Sequence, residues 1–435
     1  MTTEHMELMP GVCLTVVRTK KFKSSHWSLR LLAPLRRETA ALNALLPFVL
    51  RRGTAQLPDL SALSAALDEL YGGAIEPAVR KCGDMQCIGF EASFLDDAFV
   101  PGGGGILDRA ASLLGDLLLH PATKNGRLRQ DYVNSERENL IRMIQSSRND
   151  KMQYAQERLL EEMCTGEAYA IGRFGTVEEA EKINVSKLFA QYQTLLERAP
   201  IELFYCGSAP ARRVELAWRE ALMGLPRSTE RYPVETDARR PALGEVRTFQ
   251  EHMEVAQGKM ELGFRIGFGL GDPMYPAMLV LNAMYGGTTT SRLFLHVRER
   301  LSLCYYATST LVSLKGLVLV ACGVDPAHFE AAKQEILNQL AELQRGEFTT
   351  QEFEAARRSV VNDLRSSLDE QGRMAGYWLM DRAGGEAFDL EQLIAQVEDV
   401  TEGMAAAAAM ELQLDSVYCL SGAAASDGEA EDEGA

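Results

Sequence analysis

Apolar and polar positions alternate along this chain in two successive runs that share one order of elements. In the first, residues 12–17 read as a strand and residues 28–32 alternate with period two as the returning strand, with basic residues 18–23 as the hairpin tip between them. Residues 39–50 are apolar almost all round, which predicts a helix buried on most sides; Pro47 inside it predicts a kink or an early end. A helix over 60–70 closes at Gly72-Gly73, and strands follow at 74–81 and 86–94. Helices dominate from 106 to 119 and from 125 to 196, where Thr176 and Glu179 have capping-box spacing. A strand at 200–206 and a short helix at 213–222 complete the run.

The second run repeats the sequence of kinds. It reads as a strand at 259–269, a helix at 276–284, a helix around Leu293, Phe294, Val297 and Leu301, and strands at 305–311 and 317–324. Helices follow at 327–345, at 350–368 behind a second capping box (Thr349 and Glu352), and onward to about 410, before a strand at 416–420. The runs end alike, in IELFYCGSA and DSVYCLSGA. Grouped strands followed by runs of helices predict an α+β fold of two similar halves, each a mostly antiparallel sheet with helices on one face. The boundaries expected are 1–225 and 245–421, joined by an extended linker, 226–244, bearing Pro226, Pro233 and Pro241. Residues 422–435 are small and acidic and are expected to be disordered.

Composition narrows the function without naming it. With 435 residues, 46% of them hydrophobic, there is material for two cores. No run of about 18 apolar residues suggests a membrane span, and the first residues lack a secretory pattern. A formal net charge of −16 argues against nucleic acid as a partner and would suit a cationic substrate, though acidic surfaces are usually just soluble ones. The eight cysteines (13, 82, 87, 164, 206, 304, 322, 419) form no Cys-x-x-Cys pair and read as reduced core thiols of a cytoplasmic protein. The glycine-dense stretch 101–105 lacks the Gly-Lys-Ser/Thr ending of a phosphate loop and reads as a loop into the next helix.

The stretch richest in chemistry is GGTTTSRLFLHVRERLSLCYYATST, residues 286–310. Arg298 falls late in its helix and Tyr305 at the start of the following strand, so both can point into the space at that corner. Together a guanidinium and a phenol can polarise a carbonyl or hold a developing oxyanion. Equally, an arginine near a helix C-terminus suits the helix dipole, and a tyrosine commonly opens a strand.

This stretch resembles the C-terminal half of the insulinase-like (pitrilysin, M16) metallopeptidases, where an Arg on a helix and a Tyr seven residues later complete the active site. The matching positions are Arg298 and Tyr305. The family also carries an inverted zinc motif, His-x-x-Glu-His, ahead of a Gly-Thr that matches Gly53-Thr54. Its five positions fall on Ala44, Leu45, Leu46, Pro47 and Phe48, so both imidazoles and the general base (at Pro47) are missing. The family's third ligand, a Glu seven residues after another Glu, falls on Met143, after Glu136. The six histidines (5, 26, 120, 252, 296, 328) build no local substitute.

The resemblance covers roughly residues 8–421. It implies a non-catalytic chain of the bacterial two-chain type, inactive alone, with no cofactor of its own. A partner homologue bearing His-x-x-Glu-His would hold the zinc, as in the split pair of the mitochondrial processing peptidase. Arg298, Tyr305 and cavity surface would serve peptide binding in that heterodimer; a homodimer is also open. The bacterial zinc-less members sometimes labelled as associated with elongation factor P modification are the nearest subgroup. The alternative is a structural or peptide-binding scaffold without protease role, as in the core subunits of the cytochrome bc1 complex.

Overall fold

The structure is a computed structural model; it describes residues 1–102, 104–234, 239–302, 304–385 and 389–422. The expected acidic tail lies almost wholly outside the described residues, as do Gly103 of the glycine-dense stretch, Leu303 and part of the linker.

Two sheets organise the chain. The first contains β1 (Thr2–Met9), β2 (Val12–Arg18), β3 (Ser24–Pro34), β4 (Ala74–Cys82), β5 (Met85–Leu95) and β8 (Ile201–Gly207), in the order β1-β2-β8-β3-β5-β4. A two-stranded ladder, β6 (Thr123–Lys124) and β7 (Arg127–Leu128), lies apart from it. The second sheet contains β9 (Arg247–His252), β10 (Lys259–Arg265), β11 (Cys304–Val312), β12 (Leu317–Val324) and β13 (Gln413–Ser421), in the order β11-β12-β10-β13-β9. With β1 set aside, the two orders are the same element for element: β2-β8-β3-β5-β4 against β9-β13-β10-β12-β11. Even the one parallel pairing recurs, β2 with β8 and β9 with β13. The fold is α+β, two equivalent halves with mostly antiparallel sheets.

The expected hairpin between residues 12–17 and 28–32 is not formed, because β8 lies between β2 and β3 and bonds to both. Every residue of β8 is buried, so its apolar run needs a neighbour on each side and takes a central place. Helix α1 (Arg37–Leu50) runs through Pro47 to its full length rather than stopping there. Pro47 sits in the last turn, and its carbonyl still accepts from the Arg51 N–H at 3.0 Å. Strands β1 and β9 were not expected; both are edge strands whose exposed or alternating polar positions give little hydrophobic signal.

In each half the local helices cover one face of the sheet. In the first these include α1, α3 (Ile106–Leu119), α7 (Val185–Arg198) and α8 (Ala211–Ala221), around Trp27, Leu29 and Phe90. In the second they include α9 (Tyr275–Asn282), α10 (Phe329–Gln344), α11 (Thr350–Ser367) and α14 (Glu402–Met410), around Leu262, Phe264 and Val320. Both expected capping boxes are present, Thr176 with Glu179 and Thr349 with Glu352.

The opposite faces are covered by exchange. Helix α5 (Lys151–Met163), from the first half, lays Ala155, Leu159 and Met163 on Leu317, Leu319, Tyr418 and Leu420 of the second sheet. Helix α12 (Gln371–Gly384), from the second half, lays Met374, Trp378 and Leu379 on Leu32, Cys87, Phe204 and Cys206 of the first. The Trp378 indole stacks 5.1 Å from the Phe204 ring and donates to Thr15 Oγ1 at 3.1 Å. The two helices hold equivalent places in the element order, so the exchange is reciprocal.

Charged groups lock the same seam. Arg265, 4% exposed, donates to Asp415 at 3.0 Å and to Glu167 at 2.6 Å. The fully buried Lys315 ammonium lies 3.0 Å from Glu167 and 3.1 Å from Asp84. Removing one member of such a buried pair typically costs about 3–5 kcal/mol, because a charge is left without its counter-charge. No helix among the described residues is long and apolar enough to cross a membrane.

One buried carboxyl in the α5 interface is not neutralised. Glu261 on β10 is 0% exposed, and neither of its oxygens has a hydrogen-bond partner among the described residues. Burial holds its pKa well above the usual 4.5. The folded state therefore binds a proton that the unfolded chain releases above pH 4.5, and Glu261 subtracts stability as pH rises from there. Glu261→Gln should flatten that fall. Urea unfolding at pH 5 and pH 8 should show wild type losing more stability than the variant across the interval; equal losses would mean that Glu261 is ionised and compensated.

Candidate functional site

The Arg298/Tyr305 corner is built from irregular backbone. The segment Leu293–Arg300 winds wider than an α-helix, with the Leu301 N–H reaching back five residues to the His296 carbonyl at 3.1 Å. The Ser291 hydroxyl accepts from the Phe294 N–H at 3.5 Å. Ser302 then turns the chain at φ +50°, a left-handed conformation rare outside glycine. Strand β11 opens with a bulge: Cys304 pairs with Val324 and Tyr306 with Gly323, leaving Tyr305 as the extra residue. A wide helical turn, a left-handed serine and a bulge so close together mark backbone shaped for something other than stability.

Tyr305 is 78% exposed. The Arg298 guanidinium stacks 4.5 Å over the Phe294 ring, and its Nε lies 3.5 Å from the Glu299 carboxylate. Its side chain stays 41% exposed. Among the described residues no hydrogen bond joins Arg298 to Tyr305. Leu295 and Leu301, each 44% exposed, flank the corner, so an apolar margin surrounds the two donors. The Cys304 thiol beneath is drawn below its ordinary pKa, chiefly by its hydrogen bond with Cys322 and further by the Arg298 charge.

The positions matching the zinc motif lie on α1. Ala44 is fully buried in the first core, Pro47 is buried, and Phe48 packs against that core. Met143 is half-buried on α4 (Gln130–Ser146), which packs against α1. A methyl, a pyrrolidine, a phenyl and a thioether fill the place with apolar atoms and do not fit a zinc ion, which requires imidazole, thiolate or carboxylate. Among the described residues no group of three His, Cys, Asp or Glu side chains is placed to hold a metal. Glu136, the retained acid on α4, accepts from Arg52 at 2.8 Å and from Asn139 at 2.9 Å, an ion pair that ties α4 to the end of α1.

Two features escaped the sequence reading. The first is a buried amide relay, Asn43 to Gln86 at 3.0 Å and Gln191 to Asn43 at 2.7 Å, which fixes α1 between β5 and α7. Its members lie far apart in sequence and form no motif. The second is a cavity of about 980 Å³ between the halves, bordered by β4, the loop 170–176, α5 and α12. Neither Arg298 nor Tyr305 lines it, nor do the four zinc-motif counterparts.

Comparisons with known proteins agree with this geometry. Residues 182–360 match the family described as Peptidase M16 inactive domain. The chain is 29% identical, over 95% of its length and 96% of the relative's, to the probable inactive metalloprotease YmfF of Bacillus subtilis. Among solved structures, a conserved protein from Enterococcus faecalis superimposes with a TM-score of 0.88 at 25% identity, covering 97% of this chain and 98% of that one. A peptidase M16 inactive domain from Pseudomonas fluorescens gives 0.79 at 16% identity, over 98% and 99%, a likeness of fold.

Metal content gives a direct check. After mild dialysis, elemental analysis of the purified chain should find well under one zinc per chain; tightly bound zinc at unit stoichiometry would mean that the ligands are not where Gly53-Thr54 puts them. A duplicated sheet order, the matched region and near-full-length likeness to a probable inactive metalloprotease together make this chain similar to the M16 peptidases.

Proposed function

We propose that this protein is the non-catalytic subunit of a two-chain M16-type peptidase, presenting Arg298 and Tyr305 to a peptide held in a zinc-bearing partner's active site. The observation that carries the reading is a contrast within one chain. Every position matching a zinc ligand or the base is apolar, whereas the two matching donors stand exposed on shaped backbone, with no hydrogen bond between them among the described residues. The name of the Bacillus subtilis relative, a probable inactive metalloprotease, supports the first half of that contrast. The exposed Leu295, Leu301 and Tyr305 supply apolar surface of the kind a partner chain covers.

In this reading the partner brings zinc, general base and cleavage. This chain brings two hydrogen-bond donors for the carbonyl oxygen as it gains charge. The chain alone should not cleave peptides, and its mixture with a His-x-x-Glu-His-bearing homologue from the same host should. Tyr305→Phe removes one hydroxyl from an exposed site, so folding and complex formation should survive. Loss of a single oxyanion donor typically lowers turnover about 10²–10³-fold. Arg298→Ala should lower the same turnover and weaken peptide binding. If the mixed complex turns over unchanged with both substitutions, the corner is packing and the scaffold reading takes its place.

A further inference from the structure

Five bases and four acids line the cavity between the halves, in a chain whose formal net charge is −16. These acids are already engaged. Asp150 caps α5 through the Met152 and Gln153 N–H groups, and Glu179 closes the capping box with Thr176. Glu161 pairs with Arg158, and Glu157 accepts from Gln153 at 2.8 Å. Three of its bases are engaged as well, Arg80 with Glu91, Arg373 with Asp363, and Lys81 with the Tyr169 and Ile171 carbonyls. Arg37 and Arg173 differ: both line the cavity and both are exposed. Among the described residues no ion pair engages either.

Arg37 is not placed where fold stability would put it. Arg37 stands in the first turn of α1, the positive end of the helix dipole, where a cation is disfavoured. The cap residue there is Arg36, whose side chain accepts nothing from the helix. Arg173 adds a second cation to the same cavity wall, and the construction that holds it there is specific. The Gln86 amide, 0% exposed, donates through one nitrogen to the Ala40 carbonyl on α1 at 2.9 Å and to the Arg173 carbonyl at 2.7 Å. Gly175 lets the loop close on α1, since a Cβ there would lie 2.9 Å from the Ala41 nitrogen. Two guanidinium groups without an ion pair among the described residues, that of Arg173 stacked 4.7 Å from the Phe174 ring, thus stand on backbone that one buried amide ties together, beside a helix end without a side-chain cap. What satisfies all of these together is a carboxylate.

We propose that the cavity between the halves binds a peptide segment bearing acidic side chains, with Arg37 and Arg173 receiving the carboxylates and Gln86 positioning them. Ile144, Ile171, Phe174, Leu379 and Met380 furnish the apolar wall for the rest of the segment. The volume, about 980 Å³, suits a few residues rather than a protein domain. This rests on the peptide-binding part of the function proposed above but not on the partner or on Arg298 and Tyr305.

The test is made on the isolated full-length chain, by fluorescence anisotropy. One probe is a labelled decapeptide with four Glu or Asp residues among apolar ones. The other is its counterpart with Gln and Asn in their places. With a net charge of −16 the chain as a whole repels the acidic probe, so tighter binding of that probe requires a local cationic site. Wild type should prefer the acidic probe at least tenfold. Arg37→Gln with Arg173→Gln should abolish the preference while leaving binding of the amide probe and the melting temperature unchanged, since neither side chain makes an ion pair. Gln86→Leu should lower the preference partway, with Gln86→Glu as the polar control. Equal binding of both probes to wild type, or an undiminished preference in the double variant, overturns the proposal. If the preference is lost as expected while the mixed complex fails to cleave, the proteolytic reading falls and this site stands. Cleavage without the preference gives the reverse.

Discussion

A β-sheet with two apolar faces needs cover on both, and in this protein each half can cover only one. Its own helices take the first face; the second is closed by a single helix lent from the other half, α5 one way and α12 the other. The remaining architecture follows from that requirement. The halves are joined through their sheets, not across a thin surface contact. The turns between β4 and β5 and between β11 and β12 are brought together, with Gly83 against Leu314, which puts Asp84 within reach of Lys315. The cavity is the space left beside the two lent helices.

The charged seam shows how such a joint becomes specific. Apolar helices on apolar sheets tolerate sliding, because dispersion and burial are non-directional. Arg265, Glu167, Lys315, Asp84 and Asp415 are directional, and each has its partner in one register only. The Arg227 guanidinium does similar work at the start of the inter-half stretch, donating to the carbonyls of Pro10, Gly11, Leu196 and Ala199. Among its described residues that stretch has no helix or strand, yet its beginning is fastened to the first sheet's surroundings rather than hanging free.

Much of this was legible in the sequence, and what was not has physical causes. Long periodic segments such as α10 and α11 declare themselves because burial imposes a period of 3.6, and α1 because it is apolar nearly all round. The two-half organisation showed in the matching ends, IELFYCGSA and DSVYCLSGA, since both form the strand bonded to an antiparallel neighbour on one side and a parallel one on the other. Strand order was not legible: nothing local in β2 and β3 says that a strand nearly 170 residues further on will come between them. The apolar character of Ala44, Pro47 and Phe48 could be read directly, because a ligand position is one residue deep. The surroundings of Arg37 and Arg173 could not, since their meaning lies in a shared amide, Gln86, distant from both in the chain.

The lending of helices also bears on what a single half could be. A chain ending after β8 would carry a helix, α5, whose Ala155, Leu159 and Met163 have no sheet to rest on, and a sheet whose Leu32, Cys87 and Phe204 have no helix above them. Two such chains could satisfy each other, each inserting its α5 where the other lacks cover. The present molecule has the topology of that pair written on one strand of peptide. Its internal symmetry is thus a solvation condition as much as a record of duplication: the unit of this fold is the couple, and a half by itself is an open surface.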